Sequence, residues 1–304
     1  MRDVTRTVLG YAEAKKILKK LSPDAILIKG GFVAVPIGKA AAKLKIPYIT
    51  HDSDSTPGLA NRLISTDATV HATGMPAELY SYPADKTVYT GIPVSDNFKK
   101  VTSTLKTSYR ANLGLQECQQ VITIVGGSQG AGQLNDDMLK IAGRLMQKFP
   151  QLGIIHVAGK AHESGVREHY SKELRADEFK RVVVQGFVNT IAESQGAADV
   201  VVSRAGATQI AELAIQALPV IVVPGQLAGG HQDKNADYLE SLGAVMNIAH
   251  ANSEALYDAI TLLLTDSLRS DQLRTELYKL AKPHAARELA TLTRQIIKPR
   301  THVS

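Results

Sequence analysis

One pattern constrains this chain more than any other. Short runs of apolar, β-branched residues end in glycine or a polar turn, and most are followed by a stretch with helical periodicity. The runs are Ala25–Lys29 (AILIK), Pro47–His51 (PYITH), Val121–Val125 (VITIV), Gly153–Val157 (GIIHV), Arg181–Val184 (RVVV), Asp199–Ser203 (DVVVS) and Pro219–Val223 (PVIVV). None alternates strictly between apolar and polar residues, which is how strands covered on both faces read. Asn135–Phe149 and Thr208–Gln216 carry helical spacing between such runs. Strand and helix alternating along a chain imply an α/β fold of parallel sheets joined by right-handed crossovers.

A chain of 304 residues is long for one such domain and comfortable for two. The best boundary lies near Pro93–Ser108, where Gly91-Ile92-Pro93 closes one series and a helical pattern precedes Val121. The expectation is a partial Rossmann-like domain over 1–94 and a second Rossmann-like domain over 108–284. A helix over 285–300 is expected to pack back on the first. The first half offers only about four strands, near Ala25, Pro47, Thr69 and Thr87. A doubly wound domain has two βαβαβ halves, so the N-terminal domain is expected to be incomplete.

Composition narrows the function. The net charge is +6, which suits nucleic acid, an anionic membrane or a phosphorylated substrate. With no Trp and 5% aromatics, the chain shows no interleaved basic and aromatic platform for nucleic acid, leaving the other two. No window reaches the roughly 18 apolar residues of a membrane span, and the first twenty residues show no signal peptide. The single Cys118 fits a reducing cytoplasm and cannot build a disulfide framework.

Three glycine-bearing loops follow strands in the second half. Gly126-Gly127-Ser128-Gln129-Gly130-Ala131 opens a helix, where free N–H groups and the positive dipole end suit a phosphate. It is neither a Walker A loop nor a G-x-G-x-x-G fingerprint, and no acidic residue ends the next strand at Val157-Ala158-Gly159, which argues against NAD. A ligand-free strand–helix turn is the plainer reading. Ser203-Arg204-Ala205-Gly206-Ala207-Thr208 leads into a second helix carrying Glu212, whose two carboxylate oxygens suit a ribose diol. A solvated helix charge is the plainer reading there. Pro224–Ala236 lands on a helix whose Gln232 and Asn235 share a face and suit sugar hydroxyls, or simply cap it. In the first half, Gly30-Gly31 and His51-Asp52-Ser53-Asp54 each follow a strand. His51, Asp52 and Asp54 are therefore candidate acid–base groups, with turn formation the competing role.

These motifs, in this order, resemble the MurG family of N-acetylglucosaminyltransferases. The resemblance rests on Gly126–Ala131 with Leu134-Asn135, on Ser203–Glu212, on His231-Gln232 through Asn235-Ala236, and on Pro57-Gly58-Leu59-Ala60-Asn61-Arg62 after His51. It runs from about Lys16 to Leu292. It implies a GT-B fold of two Rossmann-like domains and a donor, UDP-N-acetylglucosamine, in the C-terminal one. The acceptor would be the undecaprenyl-diphosphate-linked muramyl peptide. By that resemblance Ser128 and Gln129 lie against the donor diphosphate and sugar, Phe187 flanks the uracil, and Ala207, Thr208 and Gln209 line the diphosphate, with Gly127, Gly130, Arg204 and Gly206 as further substrate-binding candidates in the same loops. Glu212 would hold the ribose, Gln232 and Asn235 the sugar, and Gly30 and Gly31 the acceptor phosphate. A peripheral place on the cytoplasmic face of an anionic membrane follows.

There are departures. The family's opening Gly-Gly-Thr-Gly-Gly-His loop does not occur, which corresponds to roughly 60 residues or more at two strand–helix units. Ser95 stands where the family usually has Arg, and Asp54 where it usually has Asn. The expected reaction is inverting glycosyl transfer, with loop amides and helix N-termini holding the leaving diphosphate. No metal or other cofactor is expected, because no Asp-x-Asp pair accompanies the nucleotide loops. Transfer by the chain alone is expected to be negligible without a partner subunit or segment supplying the missing loop. The alternatives are a non-catalytic UDP-sugar-binding subunit and another lipid-directed GT-B glycosyltransferase.

Overall fold

The computed structural model describes residues 2–127, 131–189, 191–225, 230–248 and 252–297, the side chains from residue 10 on. The chain forms two compact units, one of Met1–Val94 with the segment from Lys282 on, the other of Ser95–Ala281.

The first unit begins with α1 (Arg2–Leu21), β1 (Ile26–Ile28), α2 (Ala34–Leu44), β2 (Tyr48–Asp52), α3 (Leu59–Ile64), β3 (Val70–Thr73) and β4 (Thr87–Tyr89). Among the described residues its strands are parallel and lie in sequence order, β1-β2-β3-β4. Ala14 and Leu18 of α1, Ala40 and Ala41 of α2, and Tyr48 of β2 share one apolar core. Small residues on α2 let helices approach closely; a Cβ on Gly38 would sit 2.8 Å from Ile64.

The second unit runs α4 (Ser103–Asn112), β5 (Gln120–Val125), α5 (Gly132–Lys148), β6 (Leu152–Val157), α6 (Glu163–Glu173), α7 (Ala176–Phe179), β7 (Val182–Gln185) and α8 (Ile191–Gly196). It continues β8 (Val200–Ser203), α9 (Ala207–Gln216), β9 (Val220–Val222), α10 (His231–Ser241), β10 (Met246–Asn247), α11 (Ser253–Thr265) and α12 (Ser267–Tyr278). The last helix, α13 (Ala285–Gln295), returns to the first unit, where Leu289 packs with Ile49 and Ala72. Among the described residues, every strand pair of the second sheet is parallel and the order is β10-β9-β8-β5-β6-β7.

This is the doubly wound order, with the chain reversing direction between β5 and β8. The crevice for a ligand therefore opens at the carboxyl ends of those two strands, after Val125 and after Ser203. The apolar runs became strands because both faces are covered: Ile122, Ile124, Val200, Val202 and Ile221 are fully buried. Helix starts carry their own caps. Thr102 Oγ1 accepts from Leu105 N at 3.2 Å, and Asp266 Oδ1 from Arg269 N at 2.9 Å. The sequence pattern did not reveal β10, a two-residue edge strand too short to leave a periodic signal.

Candidate functional site

The switch point carries a cavity of about 380 Å³. Gly127 enters it from the loop after β5, Phe187 from the turn after β7, and Thr208, Gln209 and Glu212 from α9. Gly127 has φ +83°, a conformation costly for side-chain-bearing residues, and the space beside its Cα is open. The backbone thus turns sharply at the strand end without closing the cavity. Ser128, Gln129 and Gly130 lie outside the described residues. Phe187 is 52% exposed, with Lys160 Nζ 5.0 Å from its ring centroid. Its ring offers a flat apolar wall of the kind on which a nucleobase stacks.

Glu212 is half-buried, and burial pushes its carboxyl up to about 7. The Gln195 amide of α8 lies close enough to pull the other way. No other ionisable side chain lines the cavity among the described residues. Half-buried one turn into α9, this carboxyl is not a solvated helix charge, and it has two oxygens with which to accept hydrogen bonds.

Beside this cavity the turn after β8 is braced by α10. Gln232 Oε1 accepts from Gly225 N at 2.8 Å and from Arg204 Nε at 3.3 Å. A Cβ on Gly225 would fall 1.1 Å from Arg204 Nη2, so the guanidinium lies directly over that glycine. Asn235 is fully buried and donates to Ala205 O at 3.1 Å. Its amide thereby holds the Arg204–Ala207 turn rather than standing at a surface. Gly206 is the residue before α9, and Ala207 is its first and is buried.

The first unit gathers a second cluster at the carboxyl end of β2. His51 is fully buried, its Nε2 hydrogen-bonded to Gly91 O at 3.0 Å, and burial holds it below the usual imidazole range. Asp52 is 4% exposed. Its Oδ1 accepts from Gly58 N and Asn61 Nδ2, both at 2.9 Å, and its Oδ2 from Tyr82 Oη at 2.8 Å. Asp54 is half-buried, and its carbonyl accepts from Tyr80 Oη at 2.6 Å. Gly30 and Gly31 both have positive φ, +93° and +81°, and Asn61 lies 3.7 Å from where a Cβ on Gly30 would be. The glycine turn after β1 and the loop after β2 are therefore neighbours.

The structure thus draws Gly127, Phe187, Thr208, Gln209 and Glu212 together from three distant stretches. Arg204, Gln232 and Asn235 join in a supporting network, and Gly30 and Gly31 approach the Asp52 loop. His51 and Asp52 hold positions that organise a loop; neither is open to solvent. Three residues escaped the sequence reading as site members: Gln195, Tyr82 and Asn61. Asn61 sat in a recognised motif, but the other two carry no local signal, since each matters only through a partner 17 or 30 positions away. A larger hollow of about 560 Å³ lies at the opposite end of the second sheet. Its cations Lys106 and Arg274 are paired with Asp199 and Asp271 at 2.9 and 3.1 Å, so it presents little unsatisfied charge.

Comparison with known proteins accords with this geometry. Residues 121–289 match the glycosyltransferase family 28 C-terminal domain, and residues 1–73 match its N-terminal domain. A UDP-N-acetylglucosamine--N-acetylmuramyl-(pentapeptide) pyrophosphoryl-undecaprenol N-acetylglucosamine transferase of Bacillus licheniformis is 32% identical over 299 residues, covering 97% of this chain and 80% of that one. The Halothermothrix orenii protein of the same description is 30% identical, covering 97% and 81%. The crystal structure of Acinetobacter baumannii MurG superposes with a TM-score of 0.72 at 27% identity, over 94% of this chain and 77% of that one. A UDP-GlcNAc 2-epimerase from Neisseria meningitidis, at 14% identity and a TM-score of 0.67, shares the fold alone. With both domains matched in order and the two Rossmann-like units of a GT-B enzyme in place, the chain belongs to glycosyltransferase family 28.

Proposed function

We propose that this chain transfers N-acetylglucosamine from UDP-N-acetylglucosamine to the undecaprenyl-diphosphate-linked muramyl peptide, a step of peptidoglycan synthesis. The observation that carries the donor side is the switch-point cavity, where a positive-φ glycine, an aromatic wall and a half-buried carboxyl converge. Phe187 flanks the base, Glu212 takes the ribose hydroxyls, and Thr208 and Gln209 at the start of α9 face the diphosphate. Gly127, with Ser128, Gln129 and Gly130, completes the phosphate loop. Gln232 reaches the sugar, and Arg204, Gly206, Ala207 and Asn235 shape the turn beside it.

In the reaction an acceptor hydroxyl oxygen bonds to the anomeric carbon as the bond from that carbon to the diphosphate oxygen breaks. UDP departs with the electron pair, and the configuration inverts. Backbone N–H groups and the α9 dipole offset the charge growing on the diphosphate. On the acceptor side, Gly30 and Gly31 supply N–H groups for the lipid diphosphate. Of the three acid–base candidates, His51 and Asp52 are buried supports, and Asp54 keeps access to solvent.

Among the described residues, no helix is long and apolar enough to cross a membrane. The first unit nevertheless exposes Phe32 at 98%, Val33 at 70%, Leu59 at 62% and Leu63 at 52%, near Lys29 and Arg62. Apolar side chains with flanking cations suit the surface of an anionic membrane, where the lipid-linked acceptor resides. The chain acts there as a peripheral protein of the cytoplasmic face.

Titration calorimetry tests the donor reading. UDP binding should weaken by about 1.5–3 kcal/mol in Glu212→Ala, the scale of a hydrogen bond to a charged group. Equal affinity for UDP and its 2′,3′-dideoxy analogue would remove the ribose role. A labelled-sugar transfer assay tests the acceptor reading: turnover by the chain alone that is lost in Asp54→Asn with UDP binding intact places the base there, turnover unchanged in that variant removes it, and negligible turnover by the chain alone leaves the base to the glycine-loop segment that the resemblance expects. Sedimentation with phosphatidylglycerol vesicles, reduced in Phe32→Ser, tests the membrane face.

A further inference from the structure

Gln195 sits on α8, with no exposure at all, and apart from the Glu212 carboxyl beside it neither its Nε2 nor its Oε1 meets a hydrogen-bond partner. A buried amide carries a substantial desolvation cost when left unpaired. Buried polar groups nearly always find partners, so each exception calls for a reason. The neighbours show where one lies. Gln195 is beside Glu212, the cavity carboxyl. Gln209, one turn before Glu212 on α9, has an unpartnered buried Nε2 of its own. Glu212, the one ionisable side chain lining the cavity among the described residues, thus has two under-satisfied amides as neighbours. Elsewhere on α8 the polar groups are occupied: Ser194 Oγ donates to Gln185 Oε1 at 3.0 Å, and Glu193 accepts from Asn112 on the outer side.

We propose that Gln195 is a positioning residue for the donor: its amide donates from behind to the Glu212 carboxylate and presents both oxygens of that carboxylate to a vicinal diol. This rests on the donor reading given above. The physical logic is that a carboxylate has about four lone-pair positions. Two ribose hydroxyls use two of them. A carboxylate in a half-buried cavity, with no cation among the described residues lining that cavity, needs another donor to stay ionised and to stay in one rotamer. Gln195 is placed to supply that donor.

The charged groups around this pair are few. Glu193 on α8 faces Asn112, Lys160 lies over the Phe187 ring, Glu163 of α6 stands against Gly186 and is paired with Arg167, and Tyr109 of α4 packs on Gly196 with its hydroxyl pushed up by burial; β5, β6 and α9 place no further ionisable side chain among the described residues lining the cavity. Substitutions at Gln195 should therefore be read by Glu212 alone.

The test is calorimetry with UDP and 2′,3′-dideoxy-UDP between pH 5.5 and 8.5, on the full chain and on Gln195→Met and Gln195→Glu. Met has nearly the same length and no donor. Gln195→Met should bind UDP about tenfold more weakly, the scale of one hydrogen bond to a charged group. Its affinity for the dideoxy analogue should be unchanged, and the pH midpoint of UDP binding should move up. Its melting temperature should change little, because the amide has no partner besides Glu212 to lose. Gln195→Glu presses a second carboxyl against Glu212 and should move the midpoint up further. A structural role alone would lower melting temperature and leave the preference for ribose intact. If the unsubstituted chain prefers UDP and Gln195→Met prefers it equally with the same pH midpoint, the inference is overturned while the donor reading stands. If the unsubstituted chain shows no preference for UDP over the dideoxy analogue, the ribose reading falls and takes this inference with it.

Discussion

Tyr82 donates its phenolic hydrogen to Asp52 Oδ2 at 2.8 Å, and its ring stacks on His71 at 3.9 Å between centroids. Tyr82 belongs to the segment between β3 and β4, and Asp52 ends β2, so this bond fastens the loop after β2 to the next crossover. The other Asp52 oxygen holds Gly58 N and Asn61 Nδ2. Asp52 is thus the hub on which the loop from Asp52 to Asn61 is wound.

Removing that hydroxyl should loosen the loop. Tyr82→Phe keeps the ring on His71 and deletes only the bond to a charged, nearly buried acceptor, at a cost of about 1.5–3 kcal/mol. Chemical denaturation should show the loss. A double-mutant cycle with Asn61→Ala should be non-additive, because both donors share one carboxylate. Additive losses would mean that Asp52 does not couple them.

Donor binding should depend on pH through Glu212. Its folded-state value, raised by burial to about 7, means that the free protein holds it protonated below that pH. A protonated carboxyl is a poorer double acceptor, so UDP affinity should rise as pH climbs through about 7, with protons released on binding at pH 6. The stability sign is opposite. Between the unfolded value of 4.5 and about 7, the folded state binds more protons than the unfolded one, so stability falls as pH rises through that window. Glu212→Gln should remove that fall, raising the melting temperature at pH 8 relative to the parent while weakening UDP binding. Calorimetry in two buffers of different ionisation enthalpy and melting curves at pH 5 and 8 check both halves.

Gly127 offers a cleaner backbone test. Its φ of +83° admits a side chain poorly, and β-branched residues worst, although nothing lies within 4 Å of the added Cβ. Gly127→Val should cost on the order of 1–2 kcal/mol of stability from backbone strain alone. It should abolish UDP binding, because its methyl groups occupy the approach to the loop. Gly127→Asn, which tolerates this conformation better, should recover much of the stability without recovering binding. Val variants that fold and bind UDP normally would reduce the loop to a turn.

Gly225 should act through Arg204. An alanine Cβ there overlaps the guanidinium, which must swing away and release Gln232. Because a flexible side chain gives way, Gly225→Ala should unfold the protein little. It should weaken UDP-N-acetylglucosamine binding as much as Arg204→Ala does, and the two changes combined should add nothing further. Independent, additive losses would separate the two residues.

Leu289 tests the return of α13. It is 3% exposed and packs on Ile49 and Ala72 of the first sheet. Leu289→Ala should cost about 2–5 kcal/mol in the first unit, the range for truncating a buried leucine. UDP binding by the second unit should persist at temperatures where the first has melted. A single transition with simultaneous loss of UDP binding would show that the two units do not melt separately.

The apolar runs by themselves determined the class of fold. A run such as Val121–Val125, short, β-branched and closed by glycines, reads as a strand covered on both faces, and its alternation with helical stretches points to parallel sheets. The glycine loops were legible for the same local reason: Gly126-Gly127 must turn within two residues of a buried strand. What only the tertiary structure decided is which polar residues share a site. The order of strands put β5 beside β8, and so brought the Gly127 loop to Glu212, 85 positions away. It also gave Asp52 three donors that turn a candidate base into a hub, buried His51 against Gly91, and set Gln195 behind Glu212. Those outcomes depend on burial and on partners far along the chain. A carboxylate's neighbours, not its spelling in the sequence, set whether it ionises, braces a loop or meets a substrate.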